Sequence, residues 1–170
     1  LTDHDTTDGL EAAQNEAQRL GIIFVPGIEL TVDWPTGEFH LLGLGLTHAS
    51  MELKKAIEYL RKERENRNRL MAKKLNQEGI DISYEEVLLK TGAKTMGRPH
   101  FAAVLKEKGI IKTRQEAFDR FFAKGRPCYV ERQGLNLYDA VEAIKTSGGI
   151  PVQAHPLSIY VSWGKIEETM

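Results

Sequence analysis

Residues 28 to 46 read Ile-Glu-Leu-Thr-Val-Asp-Trp-Pro-Thr-Gly-Glu-Phe-His-Leu-Leu-Gly-Leu-Gly-Leu, so two apolar segments flank a turn sequence rich in Pro and Gly. The pattern predicts two strands, 28–32 and 39–46, joined by residues 33–37. If the turn centres between Pro35 and Thr36, Glu29 and His40 project from the same face of the sheet. A slip of one residue would separate them.

The flanking segments predict an α/β fold. Residues 8–20 are predicted to form a helix that Asp8 caps and Gly21 ends. The apolar run 22–26 is predicted to be a short buried strand, and 150–155 another. Because the strands are almost continuously apolar, we expect a sheet that is covered on both faces.

The middle of the chain is predicted to be helical. Residues 51–77 read as one long helix that ends at Gly79, and the strand pattern returns only near residue 148. The helices predicted between these points are 83–90, 98–108, 113–123 and one that Asn136 caps and that runs to 146. We therefore expect three parts: 1–50 and 146–170 from one sheet-containing domain, and 51–145 as a helical insertion.

The long helix carries an apolar stripe that passes through charged residues. Extrapolated along the helix, the stripe reaches Arg64 and then Arg67 or Asn68, so these side chains could face inward. The alternative is a solvated charged segment supported by Glu–Lys and Glu–Arg pairs, and this is the commoner arrangement.

Charge and cysteine content narrow the class of protein. With 170 residues, a net charge of −1 and a pI of about 6.6, the surface as a whole does not attract nucleic acid. No apolar run is long enough for a membrane span, and no signal peptide is visible. The single Cys128 excludes an intrachain disulfide framework and fits a reducing compartment, so we predict a cytoplasmic protein. Cys128 is expected in a short strand as a small buried hydrophobe.

Four ligand-type side chains lie at or beside predicted strand ends: His4, Glu29, His40 and His155. In α/β proteins the carboxyl ends of parallel strands meet at one face, where sites are built. Imidazole and carboxylate groups suit Zn, Mn or Fe, and a glutamate can bridge two ions. These residues therefore predict a metal site.

Aspartates surround the first of these histidines. Asp3 and Asp5 flank His4, and either could accept a hydrogen bond from a histidine ring nitrogen that does not face the metal. For His48 we expect an ordinary polar role.

A second candidate site is the helix start Gly97-Arg98-Pro99-His100. Free N–H groups and the helix dipole favour an anion there, and Arg98 adds a bidentate fork for phosphate. His100 could donate to a phosphate oxygen or protonate a leaving group. The alternative is a surface arginine and a histidine that packs on Phe101.

Five motifs, in this order, resemble the PHP (polymerase and histidinol phosphatase) family. They are Leu-Thr-Asp-His-Asp-Thr-Thr-Asp-Gly-Leu, Gly-Ile-Glu-Leu, His-Leu-Leu-Gly-Leu-Gly, Gly-Arg-Pro-His-Phe-Ala and Ala-His-Pro. The Gly-Arg-Pro-His-Phe-Ala motif is most similar to the TrpH-like branch of nucleotide phosphatases and 5′-to-3′ exoribonucleases.

The resemblance implies a distorted (β/α)7 barrel with a helical insertion. It also implies two or three divalent ions, Mn first and Zn, Fe or Mg as alternatives, held by His4, Glu29, His40 and His155 with Glu29 bridging. The reaction implied is hydrolysis of nucleotide or short RNA phosphoesters by a metal-activated water.

The same resemblance places phosphate binding on the helix start. Arg98 and His100 would hold the phosphate and act in catalysis, with help from Arg64 or Arg67. The partner expected is a small phosphorylated substrate, with no membrane and no obligate protein partner.

Two family motifs, an early His-x-His and a late Asp-x-His, do not occur in these 170 residues. We expect either a piece of a longer enzyme or a domain that has lost ligands. The second case would make the chain a non-catalytic metal- or nucleotide-binding module. A helical nucleic-acid binder built on 51–145 is a third hypothesis, but glutamates between its basic residues oppose it.

Overall fold

The computed structural model of the protein describes residues 1–92 and 96–159. In chain order the elements are α1 (Leu10–Leu20), β1 (Gly27–Val32), β2 (Phe39–Leu44), α2 (Met51–Gln77), α3 (Tyr84–Thr91), α4 (Arg98–Glu107), α5 (Arg114–Ala117), a π-helical turn (Phe118–Phe122), α6 (Leu137–Thr146), β3 (Ile150–Gln153) and a 3-10 turn (Pro156–Ile159). Within these ranges no helix is both long and apolar enough to cross a membrane.

The chain divides into two compact units. Unit 1 contains Leu1–Arg61 and Gln133–Met170, and unit 2 contains Lys62–Arg132. Helical content alone suggests an insertion of residues 51–145, whereas the first part of α2 and all of α6 belong to unit 1. The reason is that these helices carry apolar faces that pack on the sheet.

The three strands of unit 1 form one sheet in the order β1-β2-β3. In the β1–β2 pair Thr31 lies opposite His40 and Glu29 opposite Leu42, which is the register of a turn centred between Pro35 and Thr36. The predicted common face for Glu29 and His40 is therefore confirmed.

The strand direction differs from the prediction. Both strand pairs are antiparallel, and among the described residues parallel pairing occurs in two isolated bridges, His4 with Glu29 and Val32 with Leu135. The short connection after β1 explains the direction of β2, because a parallel neighbour needs a crossover of a dozen or more residues. Since β1 and β3 run in the same direction, their C-terminal ends and the N-terminal end of β2 still lie at the same end of the sheet.

One face of the sheet forms the core of unit 1. Ile28, Leu30 and Leu41 are at most 5% exposed and pack with α6 and the first half of α2. Gly43 permits the close approach of α6, because a Cβ at this position would lie 2.9 Å from the Cγ1 of Ile144. This packing fixes which face carries Glu29 and His40.

The expected buried strand at 22–26 is wrong, and the expected cover on both faces holds for β1 but not for β3. Residues 22–26 are not in a strand, and Ile23 is 93% exposed. Ile150 and Val152 of β3 are also exposed. An apolar run becomes a buried strand only where a partner strand and a packing layer meet it, and its composition does not supply these.

Local capping signals are borne out in four helices. Gly21 ends α1 with φ 67°, and Ser83, Thr113 and Asn136 accept backbone N–H groups at the starts of α3, α5 and α6. Two details differ. Gly9, not Asp8, occupies the N-cap of α1, and the predicted helix 113–123 divides into α5 and the π-helical turn.

The middle of α2 is not the fully solvated charged segment that is the commoner arrangement. Arg67 is 8% exposed and Asn68 is 1% exposed, so the inward-facing alternative is confirmed for these two residues. The Asn68 Nδ2 donates to the carbonyl of Met96 at 3.0 Å. This bond offsets the cost of burying the amide nitrogen, whereas the amide oxygen has no hydrogen-bond partner among the described residues.

Unit 2 has its own core, in which Cys128 is fully buried. Burial raises the pKa of the Cys128 thiol to about 11. The residue lies in a turn, so the strand predicted around it is wrong, whereas its role as a buried hydrophobe is confirmed.

Candidate metal centre

Glu29 lies in the middle of β1 with a backbone partner on each side. On one side it pairs with Leu42 of β2. On the other, the Glu29 N–H donates to the carbonyl of Asp3 at 3.0 Å, and the Asp5 N–H donates to the carbonyl of Glu29 at 2.9 Å. This pairing brings His4 beside Glu29 although 25 positions separate them in the chain.

The Glu29 carboxylate is shared between histidines. Its Oε1 lies 3.3 Å from the His40 Nδ1 and 3.2 Å from the His155 Nε2, and its Oε2 lies 3.4 Å from the His4 Nε2. The Glu29 side chain is 15% exposed and that of His40 is 7% exposed. The other two histidines face solvent: the side chain of His4 is 42% exposed and that of His155 is 50% exposed.

His155 reaches this cluster through an unusual backbone conformation. The Ala154 N–H donates to the carbonyl of His40 at 3.0 Å, which continues the β2–β3 pairing for one residue. His155 then has φ 28°, a conformation uncommon outside glycine. Its Nε2 lies 3.1 Å from the His40 Nδ1. The strand predicted to run through His155 ends two residues earlier, at Gln153.

The donor set fits a divalent cation. One ligand atom each from His4, Glu29 and His40 lies within 4.8 Å of the others, and imidazole with carboxylate suits Mn, Zn and Fe. The Glu29 Oε1, the His40 Nδ1 and the His155 Nε2 also approach one another at 3.1–3.3 Å. Two ring nitrogens and a carboxylate oxygen this close together are a donor set that a divalent cation can bind.

The two aspartates beside His4 differ in environment. Asp5 is 8% exposed, and its carboxylate accepts the Thr31 N–H at 3.0 Å and the Thr31 hydroxyl at 3.0 and 3.1 Å. Asp3 has an exposed side chain and pairs with Glu29 through its backbone. Asp5 therefore braces the segment that carries His4, and the predicted contact of either aspartate with a ligand histidine stays a prediction.

The predicted phosphate-binding residues all belong to unit 2. Gly97 is the N-cap of α4, and its N–H donates to the His100 Nδ1 at 3.1 Å. In a neutral ring this leaves the proton on Nε2, where it can be donated to an anion. A Cβ at Gly97 would lie 3.9 Å from the Arg67 Nη2, so this guanidinium lies beside the start of α4.

Arg98 lies over an aromatic ring. Its Cζ is 5.8 Å from the centroid of Phe118, and its Nη1 donates to the carbonyl of Phe122 at 3.5 Å. Arg64 is half-buried on α2. Arg67, Arg98 and His100 thus form a basic group around a helix N-terminus, which favours anion binding.

Two contacts of the metal-centre residues are not predicted from the sequence. Thr31 holds Asp5, and the Ser158 hydroxyl lies 2.8 Å from the His155 Nδ1. The signal for Thr31 is its position two residues after Glu29, on the same face of β1. For Ser158 it is the spacing of three residues from His155, whose carbonyl accepts the Ser158 N–H at 2.9 Å at the start of the 3-10 turn.

Known proteins with sequences similar to this chain are phosphoester hydrolases. The 5′-3′ exoribonuclease Rnm of Salmonella typhimurium is 33% identical over 158 residues, which cover 92% of this chain and 54% of the enzyme. The 3′,5′-nucleoside bisphosphate phosphatase of Chromobacterium violaceum is 36% identical over 157 residues, which cover 92% and 55%. No family model matches the chain.

Solved structures share the fold. An amidohydrolase from Chromobacterium violaceum, with bound sulfate and no metal, has a TM-score of 0.85 and 35% identity over 99% of this chain and 60% of its own. A Bifidobacterium adolescentis protein classed with the metal-dependent phosphoesterases has a TM-score of 0.79 and 26% identity over 91% and 55%. The chain spans about half the length of the curated relatives it matches.

Proposed function

We propose that this chain carries part of the active site of a metal-dependent phosphoesterase of the PHP type, which hydrolyses nucleotide or short RNA phosphoesters. The observation that carries the proposal is the Glu29 carboxylate, whose two oxygens face different histidines. The relatives named a bisphosphate phosphatase and an exoribonuclease support the substrate class.

His4, Glu29, His40 and His155 would hold the ions, with Glu29 shared between two of them. A bound divalent cation supplies hydroxide near neutral pH and neutralises charge on the phosphoryl oxygens. We favour Mn because the resemblance to the PHP family implies it, with Zn, Fe or Mg as alternatives; three imidazole groups and one carboxylate can bind any of the first three.

The chain's own residues would bind and orient the substrate. Arg98 offers two parallel N–H groups to a phosphate, and Arg67 adds positive charge beside the start of α4. Arg64 is a further candidate contact on the same helix as Arg67. His100, with its proton on Nε2, would donate to a phosphate oxygen or to the leaving group.

The wider architecture is part of the same proposal. We assign residues 1–50 and 146–170 to a distorted (β/α)7 barrel. The start of α2 and all of α6, which pack on the sheet, belong with this barrel, and the helices of unit 2 form the insertion. Residues 160–170 lie outside the described part of the chain. The cytoplasmic location stays a prediction that depends on the single cysteine.

The test is removal and replacement of the metal. Chelation should abolish hydrolysis of a 3′,5′-nucleoside bisphosphate, and Mn should restore it. Glu29→Gln should weaken both metal binding and turnover at least ~100-fold, the upper end of losses seen even for groups that act behind a ligand. The matched control is Glu16→Gln, which removes an exposed carboxylate paired with Arg19 on α1.

Full turnover by metal-stripped protein would refute the proposal. Metal binding that depends on Glu29, without hydrolysis of any phosphoester, would instead support the non-catalytic binding module.

A further inference from the structure

The Ser158 hydroxyl lies at the centre of a small network around His155. It donates to the carbonyl of Glu38 at 2.6 Å and to the carbonyl of His155 at 2.9 Å. It also lies 2.8 Å from the His155 Nδ1. All of these residues belong to unit 1.

Counting protons determines the direction of the contact with the imidazole. A serine hydroxyl has one proton, and here carbonyl oxygens, which can only accept, take it. Toward the His155 Nδ1 the Ser158 oxygen can therefore only accept a hydrogen bond. The neutral ring then carries its proton on Nδ1, which leaves a lone pair on Nε2 that can accept a hydrogen bond from the His40 Nδ1, 3.1 Å away.

The connection between β1 and β2 keeps Ser158 in place. The Glu38 N–H donates to the Ser158 carbonyl at 2.9 Å, and the Thr36 hydroxyl donates to the Ile159 carbonyl at 2.7 Å. Gly37 has φ 67°, and a Cβ there would lie 2.0 Å from the Ser158 carbonyl oxygen. Only glycine allows this close approach. The connection 33–38 therefore packs against the 3-10 turn that follows His155 and is hydrogen-bonded to it, an arrangement we call the clasp.

We infer that Ser158 is a positioning residue for the candidate metal centre: it holds His155 as the Nδ1–H tautomer, so that the Nε2 lone pair is available to a cation at this centre. A second group that fixes the tautomer and ring orientation of a ligand histidine is a general requirement of metal sites. The clasp by residues 36–38 also holds the strained backbone of His155. The importance of Ser158 for catalysis rests on the proposed function. The tautomer of His155 does not, because it can be observed in protein without metal.

The tautomer can be measured directly in metal-free protein. With ¹⁵N-labelled histidine, two-bond ¹H–¹⁵N correlations distinguish a protonated from an unprotonated ring nitrogen. The chain has five histidines, and the spectrum of His155→Gln assigns the signal. We expect Nδ1–H in the wild type and a shift toward Nε2–H, the form favoured by free histidine, in Ser158→Ala.

Metal titration supplies a second readout. Calorimetry with Mn²⁺ or Zn²⁺ should show ~10- to 100-fold weaker binding for Ser158→Ala. Ser158→Thr keeps the hydroxyl and should restore both the tautomer and the affinity. The matched control is Ser83→Ala, which removes the N-cap hydroxyl of α3 in unit 2 and should change stability but neither readout.

The outcomes separate the two proposals. If His155 is the Nε2–H tautomer in the wild type, or if Ser158→Ala changes neither tautomer nor affinity, the positioning role is refuted. If the wild type binds no metal but Ser158 controls the tautomer, the proposed function fails and this inference stands. If Ser158→Ala is unfolded, the Ser158→Thr spectrum and the effect of Gly37→Ala on the tautomer decide the question.

Discussion

Replacing Arg98 tests the predicted phosphate site of unit 2 most directly. Among the described residues the guanidinium makes one long hydrogen bond, 3.5 Å to the Phe122 carbonyl, and lies 5.8 Å from the Phe118 centroid. The ring contact contributes ~0.5–1 kcal/mol at a partly exposed position. Arg98→Ala should therefore cost little stability.

The loss of substrate binding should be larger. A hydrogen bond to a charged group contributes ~1.5–3 kcal/mol. At about 1.4 kcal/mol for each factor of ten, KM for a phosphorylated substrate should rise ~10- to 150-fold. Arg98→Lys keeps the charge but loses the planar fork, so its loss should be intermediate.

Steady-state hydrolysis and competitive inhibition by inorganic phosphate measure this effect, because the inhibition constant reports binding without chemistry. The matched control is Arg120→Ala. Arg120 lies 4.8 Å from the Phe121 centroid and donates to the Ile110 carbonyl at 3.0 Å, so it shares the ring and carbonyl contacts of Arg98, and it also pairs with Glu116 at 2.8 Å. Equal effects of the two substitutions, or an unchanged inhibition constant in Arg98→Ala, would refute the phosphate role.

Two further predictions concern His100 and Cys128. His100→Ala should lower kcat more than it raises KM while metal content, measured by elemental analysis, stays unchanged; loss of metal would show that His100 is a ligand. Cys128 should resist alkylation in the folded protein, since burial raises its pKa to about 11. An unfolded thiol ionises near pH 8.5, whereas the folded one keeps its proton until about pH 11, so the free energy of unfolding should fall as pH rises through this window. Urea titrations at pH 8 and pH 10 should show a smaller fall for Cys128→Ala, and identical slopes for both proteins would contradict the assignment.

Local chemistry was enough to predict much of the fold. The caps at Ser83, Thr113 and Asn136 and the left-handed Gly21 mark helix ends because their hydrogen bonds or backbone angles involve residues close in sequence. The register of β1 and β2 follows from the turn for the same reason. The common face of Glu29 and His40 was therefore readable from the chain.

The burial of particular side chains could not be predicted from local sequence. Residues 22–26 look like a buried strand by composition, yet Ile23 is 93% exposed because burial needs a partner from elsewhere in the chain. Conversely, Arg67 and Asn68 look solvated but are buried. Periodicity reports which side chains share a face, and only packing decides whether that face is covered.

The same distinction between local and long-range contacts applies to the metal centre. The sequence by itself determined which residues have ligand chemistry, and it paired Glu29 with His40 through a local turn. Only the tertiary structure decided that His4 and His155 join them, since each arrives through a backbone pairing with a distant strand. The orientation of His155 depends further on its left-handed backbone and on the clasp around Ser158. Such long-range contacts form only when the whole sheet closes, so no local pattern in the sequence encodes them.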